Sequence, residues 1–339
     1  MTTTHLPFEQ KTLEALKWIV DILDRHNIDY HISGGFAGKV FGSERGLNDI
    51  DIDISEKYFD RILPEISEYI IFGPARYKDD KWDLELITLN YKGQEIDISG
   101  ADTLLISTKD RTQWIPVPTD FSKALDFTLN GIDIKIINPN DFLTYKLELD
   151  GDHQLEDIAA AGRFLIENSF KKAKVRYKEI EGTDIQLRIG KGLFFTMCAV
   201  PVLGSIFNKK RKYFVSVNLR RVDVLSQLSE DDLIGWFGHE LAHIIEYETM
   251  SNFELLKFIC RYIFDTKFRF SVEKRVNAFT YNHGFARELF GAWKTFLSLE
   301  GVNKKYKEYV VKNCRPDWED VRETTTLQGM SKEFFESFR

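Results

Sequence analysis

A single helix in the second half of the chain is the strongest constraint on its fold. Ser229-Glu-Asp-Asp232 places a capping serine before an acidic first turn, and an apolar run follows at helical spacing. This run contains His239, Glu240 and His243. Residues four apart share one helix face, so both imidazoles can bind one metal, with Glu240 beside them to accept a proton from water. The sequence therefore predicts a catalytic zinc site for hydrolysis.

A third zinc ligand is expected further along the chain. Glu273 and Asn277 lie four residues apart in a second predicted helix, so both can face the same site. His283 and Glu246 are alternative ligands. Tyr281 and His283 are also candidates for stabilising a tetrahedral oxyanion.

The two helices together carry a resemblance to a family. Gly238-His-Glu-Leu-Ala-His-Ile-Ile and Glu273-Lys-Arg-Val-Asn-Ala-Phe resemble the paired helices of glutamate-liganded zinc peptidases, the gluzincins. The resemblance implies Glu273 as the third ligand and Asn277 as the residue that orients a histidine. The family has an aspartate there, and an asparagine brings no charge. The segment 213–220 resembles the edge strand beside such sites, which binds peptide by strand addition, although a half-buried strand explains it equally well.

The first half carries an acidic strand behind a glycine turn. Residues 48–55 alternate aspartate with isoleucine, which predicts a strand with its aspartates on one face. Gly34 and Gly35 follow a predicted strand at a helix start, where backbone N–H groups can bind phosphate. Carboxylates on one strand face can hold Mg²⁺ that neutralises a transferring phosphoryl group. Asp53 extends the alternation, so the pattern alone does not decide which of the aspartates would bind the metal.

This pattern resembles the nucleotidyltransferase superfamily, in its small antibiotic- and toxin-type branch. There, G-G-x-A, a glycine, an arginine and D-x-D recur in this order, and Arg45 lies four residues before Asp49 as the family pattern has it. The resemblance implies that Gly34, Gly35, Arg45 and Lys146 bind the nucleotide, that Asp157 orients Lys146, and that Asp49, Asp51 and Asp97 hold magnesium and act in catalysis.

The chain is long enough for two domains. With 339 residues it is longer than most chains that fold around one hydrophobic core. The pattern of residue types changes near 168–175, where basic and β-forming residues follow a predicted helix. We expect an α+β protein with a nucleotidyltransferase-like domain over 1–170, built on a mixed sheet with flanking helices. A mainly helical zincin-like domain with a small sheet is expected over 171–339. The predicted helices and strands of the second half include strands at 185–189, 194–200 and 213–219 and helices at 230–248, 252–264, 270–297 and 302–313.

Composition bears on the compartment and the partners. The formal charge of −7 argues against a general nucleic-acid-coating surface. Cys198, Cys260 and Cys314 are widely spaced, which suggests neither a disulfide framework nor a thiolate zinc site. The sequence starts without a signal-like segment, and the longest apolar run, 192–207, is too short to span a bilayer. We expect a cytoplasmic protein with no membrane contact.

The sequence thus predicts an enzyme with two sites. The first half would transfer a nucleoside monophosphate from a nucleoside triphosphate, with Mg²⁺, to a protein or an RNA acceptor. The second half would cut a peptide or protein substrate with Zn²⁺. In the alternative hypothesis, one half is a silent nucleotide-sensing or regulatory module that controls the other, as in a toxin or defence system.

Overall fold

The chain forms two compact units in a computed structural model. The structure describes residues 2–4, 6–117, 119–190, 196–218, 227–299 and 303–314. Unit 1 is Met1–Leu165 and unit 2 is Ile166–Arg339. The nucleotidyltransferase-like and zincin-like character of domains 1–170 and 171–339 stays a prediction.

Unit 1 is built on a mixed β-sheet. Its strands are β1 Thr2–Thr4, β2 Tyr30–Ile32, β3 Asp49–Ile54, β4 Ile70–Lys78, β5 Trp82–Tyr91, β6 Gln94–Gly100, β7 Leu105–Ser107, β8 Trp114–Pro116, β9 Leu125–Leu129 and β10 Ile132–Ile136. Among the described residues the order is β1-β9-β10-β2-β3-β6-β5-β7-β8, and β4 pairs with β5. The sheet combines parallel and antiparallel pairs, which agrees with the mixed sheet predicted for the first half of an α+β protein.

The alternating strand β3 lies at the centre of this sheet. Ile50, Ile52 and Ile54 are fully buried on one face, and the aspartates occupy the other. β3 runs parallel to β6, with Asp49 opposite Glu95 and Asp51 opposite Asp97. Two acidic strands therefore present their carboxylates side by side.

Five helices belong to unit 1 or begin in it. They are α1 Gln10–Arg25, α2 Gly34–Val40, α3 Phe59–Ile66, α4 Pro139–Lys146 and α5 Asp152–Lys174, the last of which crosses the boundary between the units. The Asn138 side chain caps α4 by accepting from the Asn140 N–H at 2.8 Å, with Pro139 in the first turn. This cap positions Tyr145 and Lys146 at the other end of α4.

Several elements of unit 1 were not predicted. β1, β7 and β8 are three residues long, which is too short for a period to be recognised in the sequence.

Unit 2 contains a three-stranded sheet among its described residues. The strands are β11 Asp184–Gly190, β12 Met197–Pro201 and β13 Lys212–Asn218. β13 is the central strand, parallel to β11 and antiparallel to β12. The prediction of an edge strand over 213–220 is therefore wrong for its described part, and residues 219 and 220 lie outside the described residues. Since both sides of β13 are paired, it cannot accept a peptide strand; among the described residues β11 and β12 are the edge strands.

The helices of unit 2 largely follow the predicted pattern. They are α6 Glu230–Glu248, α7 Asn252–Phe264, α8 Thr266–Thr280, α9 Ala286–Ser298 and α10 Lys304–Cys314. Ser229 and Asp232 form the predicted capping box of α6. The continuous helix expected over 270–297 is wrong, because a π-helical segment at Tyr281–Phe285, with Gly284 at φ 83°, separates α8 from α9. Within the described ranges, no helix has the length and apolar character needed to cross a bilayer.

Candidate functional site

The zinc site predicted in unit 2 corresponds to a compact group of three side chains. His239 and His243 leave α6 one turn apart, and their Nε2 atoms lie 3.2 Å from each other. Glu273 comes from α8, with its carboxylate oxygens 3.1 Å from His239 Nε2 and 3.5 Å from His243 Nε2. Zinc bonds of about 2.0–2.1 Å at tetrahedral angles place neighbouring ligand atoms roughly 3.3 Å apart. One donor atom from each of the three residues lies within 4.8 Å of the other two, so a small shift of the side chains would bring them to the face of a zinc tetrahedron.

Glu240 lies between these ligands and the edge strand. Its Oε2 accepts a hydrogen bond from the Ala199 N–H of β12 at 2.7 Å. Burial raises the pKa of Glu240, while His239 and His243 act in the opposite direction. The same carboxylate lines a cavity of about 540 Å³, whose wall includes all of β12. A proton acceptor, the candidate ligands and an open strand edge thus share one cavity.

Asn277 is placed close to this group. Its Nδ2 donates to the Cys314 carbonyl oxygen at 2.8 Å. Asn277 Oδ1 and His239 Nδ1 are both buried and have no hydrogen-bond partner among the described residues. Burial lowers the pKa of His239, whereas Glu273 and, to a smaller extent, Asn277 raise it. Its role in orienting the histidine stays a prediction.

Tyr262 is a neighbour of the site that the sequence did not reveal. Its hydroxyl, on α7, donates to a carboxylate oxygen of Glu273. Burial raises the pKa of Tyr262, and Glu273 raises it further, so the phenol is a neutral donor. The spacing of α7 gives no signal for this contact, because it depends on how α7 packs against α8.

The alternative ligands are engaged elsewhere. Glu246 forms an ion pair with Arg275, whose Nε lies 3.1 Å away. His283 Nε2 lies 3.3 Å from Glu179 Oε1. Tyr281 is buried in an apolar cluster, and neither it nor His283 lines the described cavities beside the zinc group. Neither Glu246 nor His283 therefore replaces Glu273 as the candidate third ligand. The structure gives no support to an oxyanion-stabilising role for Tyr281 or His283.

Cysteine does not belong to the group, although Cys198 and Cys314 line the cavity of about 540 Å³. Burial raises the pKa of Cys198 to about 11, with Glu240 adding to the effect. Burial likewise raises the pKa of Cys314 to about 12, and the nearby Glu273 contributes. Both side chains are therefore neutral thiols beside the cavity.

In unit 1, one cavity of about 710 Å³ gathers the residues predicted for nucleotide and magnesium binding. It is lined by Gly34, Gly35, Arg45, Asp49, Asp51, Asp97 and Lys146. The sheet face of β3 and β6 contributes the carboxylates, and β5 adds Trp82, Leu84, Leu86 and Thr88 to the wall. The ends of α2 and α4 contribute the glycines and the lysine.

The carboxylates that could share a metal differ in part from the predicted set. Oxygens of Asp49, Glu95 and Asp97 all lie within 4.8 Å of one another, and Asp51 is not in this group. Glu95 was missed because only the parallel register of β3 and β6 places it opposite Asp49. Asp97 Oδ1 is buried without a hydrogen-bond partner among the described residues. This oxygen and its two carboxylate neighbours suit a hard cation such as Mg²⁺.

Asp51 lies beside this group in an unfavourable environment for a negative charge. Burial raises the pKa of Asp51 to about 8, and the charges of Asp49 and Asp97 contribute. Burial also raises the pKa of Asp97. A bound cation would relieve this repulsion and keep the carboxylates ionised.

The third aspartate of β3 is used differently. Asp53 Oδ2 lies 2.8 Å from His31 Nε2, and both side chains are buried. His31 comes from β2, directly opposite Asp53 in the sheet. Asp53 therefore has a partner outside the carboxylate group.

Asp157 joins the two predicted phosphate-binding cations. Both of its oxygens accept from Arg45 Nε at 2.9 Å, and Oδ2 also accepts from Lys146 Nζ at 2.9 Å. Lys146 Nζ further donates to Gln154 Oε1 at 2.8 Å. Burial alone would raise the pKa of Asp157, but Arg45 and Lys146 hold it below the usual value. Asp157 therefore contacts Lys146, as the resemblance implies, and it also binds Arg45, which was not expected.

The glycine pair is packed too tightly to accept a side chain. Gly34 has φ +53°, and a Cβ there would lie 1.6 Å from Asp51 Oδ2. At Gly35 a Cβ would lie 2.3 Å from Arg45 Nη2. The Gly34 N–H donates to the Tyr145 hydroxyl at 2.9 Å. Glycine is therefore required for the close approach of this turn to the carboxylate strand.

Comparisons with known proteins found similar solved structures for the N-terminal half. No family model and no curated protein matches the chain. A Thermotoga maritima protein assigned as a nucleotidyltransferase is 18% identical, with 51% of this chain and 98% of that chain covered and a TM-score of 0.35. The lincosamide antibiotic adenylyltransferase LnuA is 15% identical over 44% of this chain and 94% of its own, with a TM-score of 0.31.

A third similarity extends over most of the chain. The Thermotoga maritima CCA-adding enzyme, solved with tRNA, is 14% identical over 95% of this chain and 70% of its own, with a TM-score of 0.24. These comparisons give nothing in favour of a gluzincin-type second half, which stays a prediction.

Proposed function

We propose that unit 1 is a Mg²⁺-dependent nucleotidyltransferase and that unit 2 is a zinc-dependent peptidase. The observation that carries the first part is the carboxylate group of Asp49, Glu95 and Asp97 in the same cavity as the glycine turn. Mg²⁺ bound there would supply charge neutralisation for a transferring phosphoryl group.

The chain's own residues would position the nucleotide in unit 1. Asp49, Glu95 and Asp97 would hold the cation, with Asp51 adjacent as a further carboxylate of the predicted set. The glycine turn lines the same cavity, and the absence of a side chain at Gly34 and Gly35 lets it pack against Asp51 and Arg45. Lys146 and Arg45, both held by Asp157, would provide positive charge at a fixed position on the cavity wall.

Transfer can be tested with the four nucleoside triphosphates labelled at the α-phosphate, each with Mg²⁺ and with protein or RNA acceptors. We expect pyrophosphate release and acceptor labelling by the wild type, and their loss in Asp49→Asn. Asp133→Asn, an exposed aspartate of the same sheet, is the control and should retain activity. Nucleotide binding without pyrophosphate release from any of the four would favour a sensing module instead.

The same assay separates the two versions of the carboxylate set. If Glu95 is a ligand, Glu95→Gln raises the Mg²⁺ concentration needed for half-maximal transfer more than Asp51→Asn does. The reverse order would restore the original set of Asp49, Asp51 and Asp97.

For unit 2, the proposal rests on the donor geometry of His239, His243 and Glu273. One donor atom from each residue lies within 4.8 Å of the other two, which is close enough for all three to share a tetrahedral metal ion. Zinc bound there would supply Lewis acidity and a water with a pKa of about 7. Glu240 is placed to accept a proton, and β12, an edge strand among the described residues, would hold an extended peptide.

Metal analysis and peptide cleavage test this half. We expect about one zinc per chain in protein from metal-replete expression. Glu240→Gln should keep the zinc and lose cleavage of a casein or peptide panel. Glu246→Gln, on the same helix but paired with Arg275, is the matched control and should cleave normally. Wild-type protein without zinc, or undiminished cleavage by Glu240→Gln, would contradict the proposal.

A further inference from the structure

Lys81 is a buried lysine on the wall of the unit 1 cavity. It is 7% exposed, and its Nζ has no hydrogen-bond partner among the described residues. No ion pair of Lys81 is present in the described part of the chain within 4.0 Å either. It nevertheless lines the same cavity of about 710 Å³ as the carboxylate group.

The backbone of Lys81 is held firmly, so its side chain starts from a defined position. Lys81 lies between β4 and β5, where its N–H donates to Asp79 Oδ1 at 2.7 Å and its carbonyl accepts from the Ser107 N–H at 2.9 Å. The next residue, Trp82, has its ring 6.3 Å from Tyr145, whose hydroxyl accepts from the Gly34 N–H. Trp82, the residue after Lys81, is thus linked through Tyr145 to the glycine turn.

The other described lysine and arginine side chains that line this cavity already have anionic partners. Arg45 and Lys146 are bound to Asp157. Arg111 Nη2 lies 2.8 Å from Asp150 Oδ2. Of the lysine and arginine side chains in the described cavity wall, only Lys81 has no anionic partner.

Burial of an ammonium group without a partner is unfavourable, so its retention suggests a ligand that supplies the missing negative charge. The same cavity carries carboxylates suited to Mg²⁺, the cation that commonly accompanies phosphate. Phosphate oxygens are strong acceptors for an ammonium group on a flexible stem.

We propose that Lys81 binds a phosphate group of the ligand in this cavity. The inference rests on the proposed nucleotidyl transfer for the identity of that ligand, namely the terminal phosphates of a nucleoside triphosphate. A phosphate of an RNA acceptor has the same chemistry, and the binding assays distinguish the two sources.

The test measures binding of inorganic tripolyphosphate, a nucleoside monophosphate and a short oligoribonucleotide without terminal phosphates to the full chain by calorimetry. Lys81→Met keeps the apolar stem and removes the charge, and we expect its Kd for tripolyphosphate to rise about tenfold to a hundredfold. Lys81→Arg should recover most of the binding. Lys78→Met is the matched control, since Lys78 belongs to the same hairpin but is exposed and paired with Asp83.

Each outcome decides the inference. Weaker tripolyphosphate binding supports the nucleotide as the source, and weaker binding of the oligoribonucleotide alone assigns Lys81 to an acceptor phosphate. Unchanged binding of all probes by Lys81→Met, or no binding by the wild type, overturns the inference. A Lys81-dependent tripolyphosphate site in a protein that transfers no nucleotide would refute the transfer proposal and leave the phosphate site standing.

The stability of unit 1 provides a second measurement, which distinguishes a ligand-binding lysine from a purely structural one. Because the unpartnered charge is unfavourable in the ligand-free protein, the opening free energy of unit 1 in Lys81→Met, read by hydrogen exchange of β3 and β6 peptides, should equal or exceed that of the wild type. A lower opening free energy combined with unchanged binding would assign Lys81 a structural role instead.

Discussion

Replacing Asp157 by asparagine should strongly destabilise unit 1. Asp157 is fully buried and accepts charge-assisted hydrogen bonds from Arg45 and Lys146. Asparagine has the same shape, but its amide NH₂ would face one of the two cations, and the compensating charge would be gone. Lys146 is 3% exposed, so water cannot solvate it in exchange. Breaking a buried ion pair on one side costs about 3–5 kcal/mol, a large part of the roughly 5–15 kcal/mol that stabilises a domain.

The measurement must report on unit 1 alone, because a chain with two units need not unfold in one step. Hydrogen exchange of peptides from β3 and β6, read by mass spectrometry, gives the opening free energy of the central sheet. Asp21→Asn is the control, since Asp21 forms an exposed pair with Lys17, and it should change this free energy by less than about 0.5 kcal/mol. A loss below about 1 kcal/mol in Asp157→Asn would refute the view that Asp157 balances two buried cations.

The same residue predicts a pH dependence. Because the folded pKa of Asp157 lies below its unfolded value, its contribution is complete above the unfolded pKa of about 3.9 and is lost as pH falls through the folded value. The difference in opening free energy between wild type and Asp157→Asn should therefore narrow below about pH 4. A difference that stays constant from pH 6 to pH 3 would contradict the assignment.

Two further substitutions test the neighbours of the candidate metal groups. Tyr262→Phe removes the hydroxyl that donates to Glu273, and we expect zinc affinity, measured by chelator competition, to fall about 10- to 100-fold. Tyr213→Phe loses a similar bond to a glutamate outside the zinc group and should leave that affinity unchanged, so equal effects would argue against a positioning role. Gly34→Ala places a Cβ 1.6 Å from a neighbouring carboxylate oxygen and should abolish nucleotidyl transfer. Gly93→Ala, also at positive φ but with open space around it, should remain active, and full activity in both variants would remove the steric argument.

Local patterns in the sequence were enough to predict the elements that carry both candidate sites. The alternation over 48–55 predicts β3 because side chains alternate across a strand, and the spacing of His239 and His243 predicts a shared helix face. The capping residues of α6 likewise mark its start correctly, because a cap depends on side chains only three residues apart. In each case the decisive interaction is local.

Contacts between distant segments had to come from the tertiary structure. Glu95 joins Asp49 because β3 and β6 pair in one particular parallel register, and sequence alone does not contain that register. Tyr262 reaches Glu273 only through the packing of α7 against α8, and β13 proved to be a central strand because β11 pairs with its second side. The sequence by itself determined which side chains share a strand or helix face, since that follows from backbone periodicity. Only the tertiary structure decided which faces meet, since this depends on the packing of the whole unit.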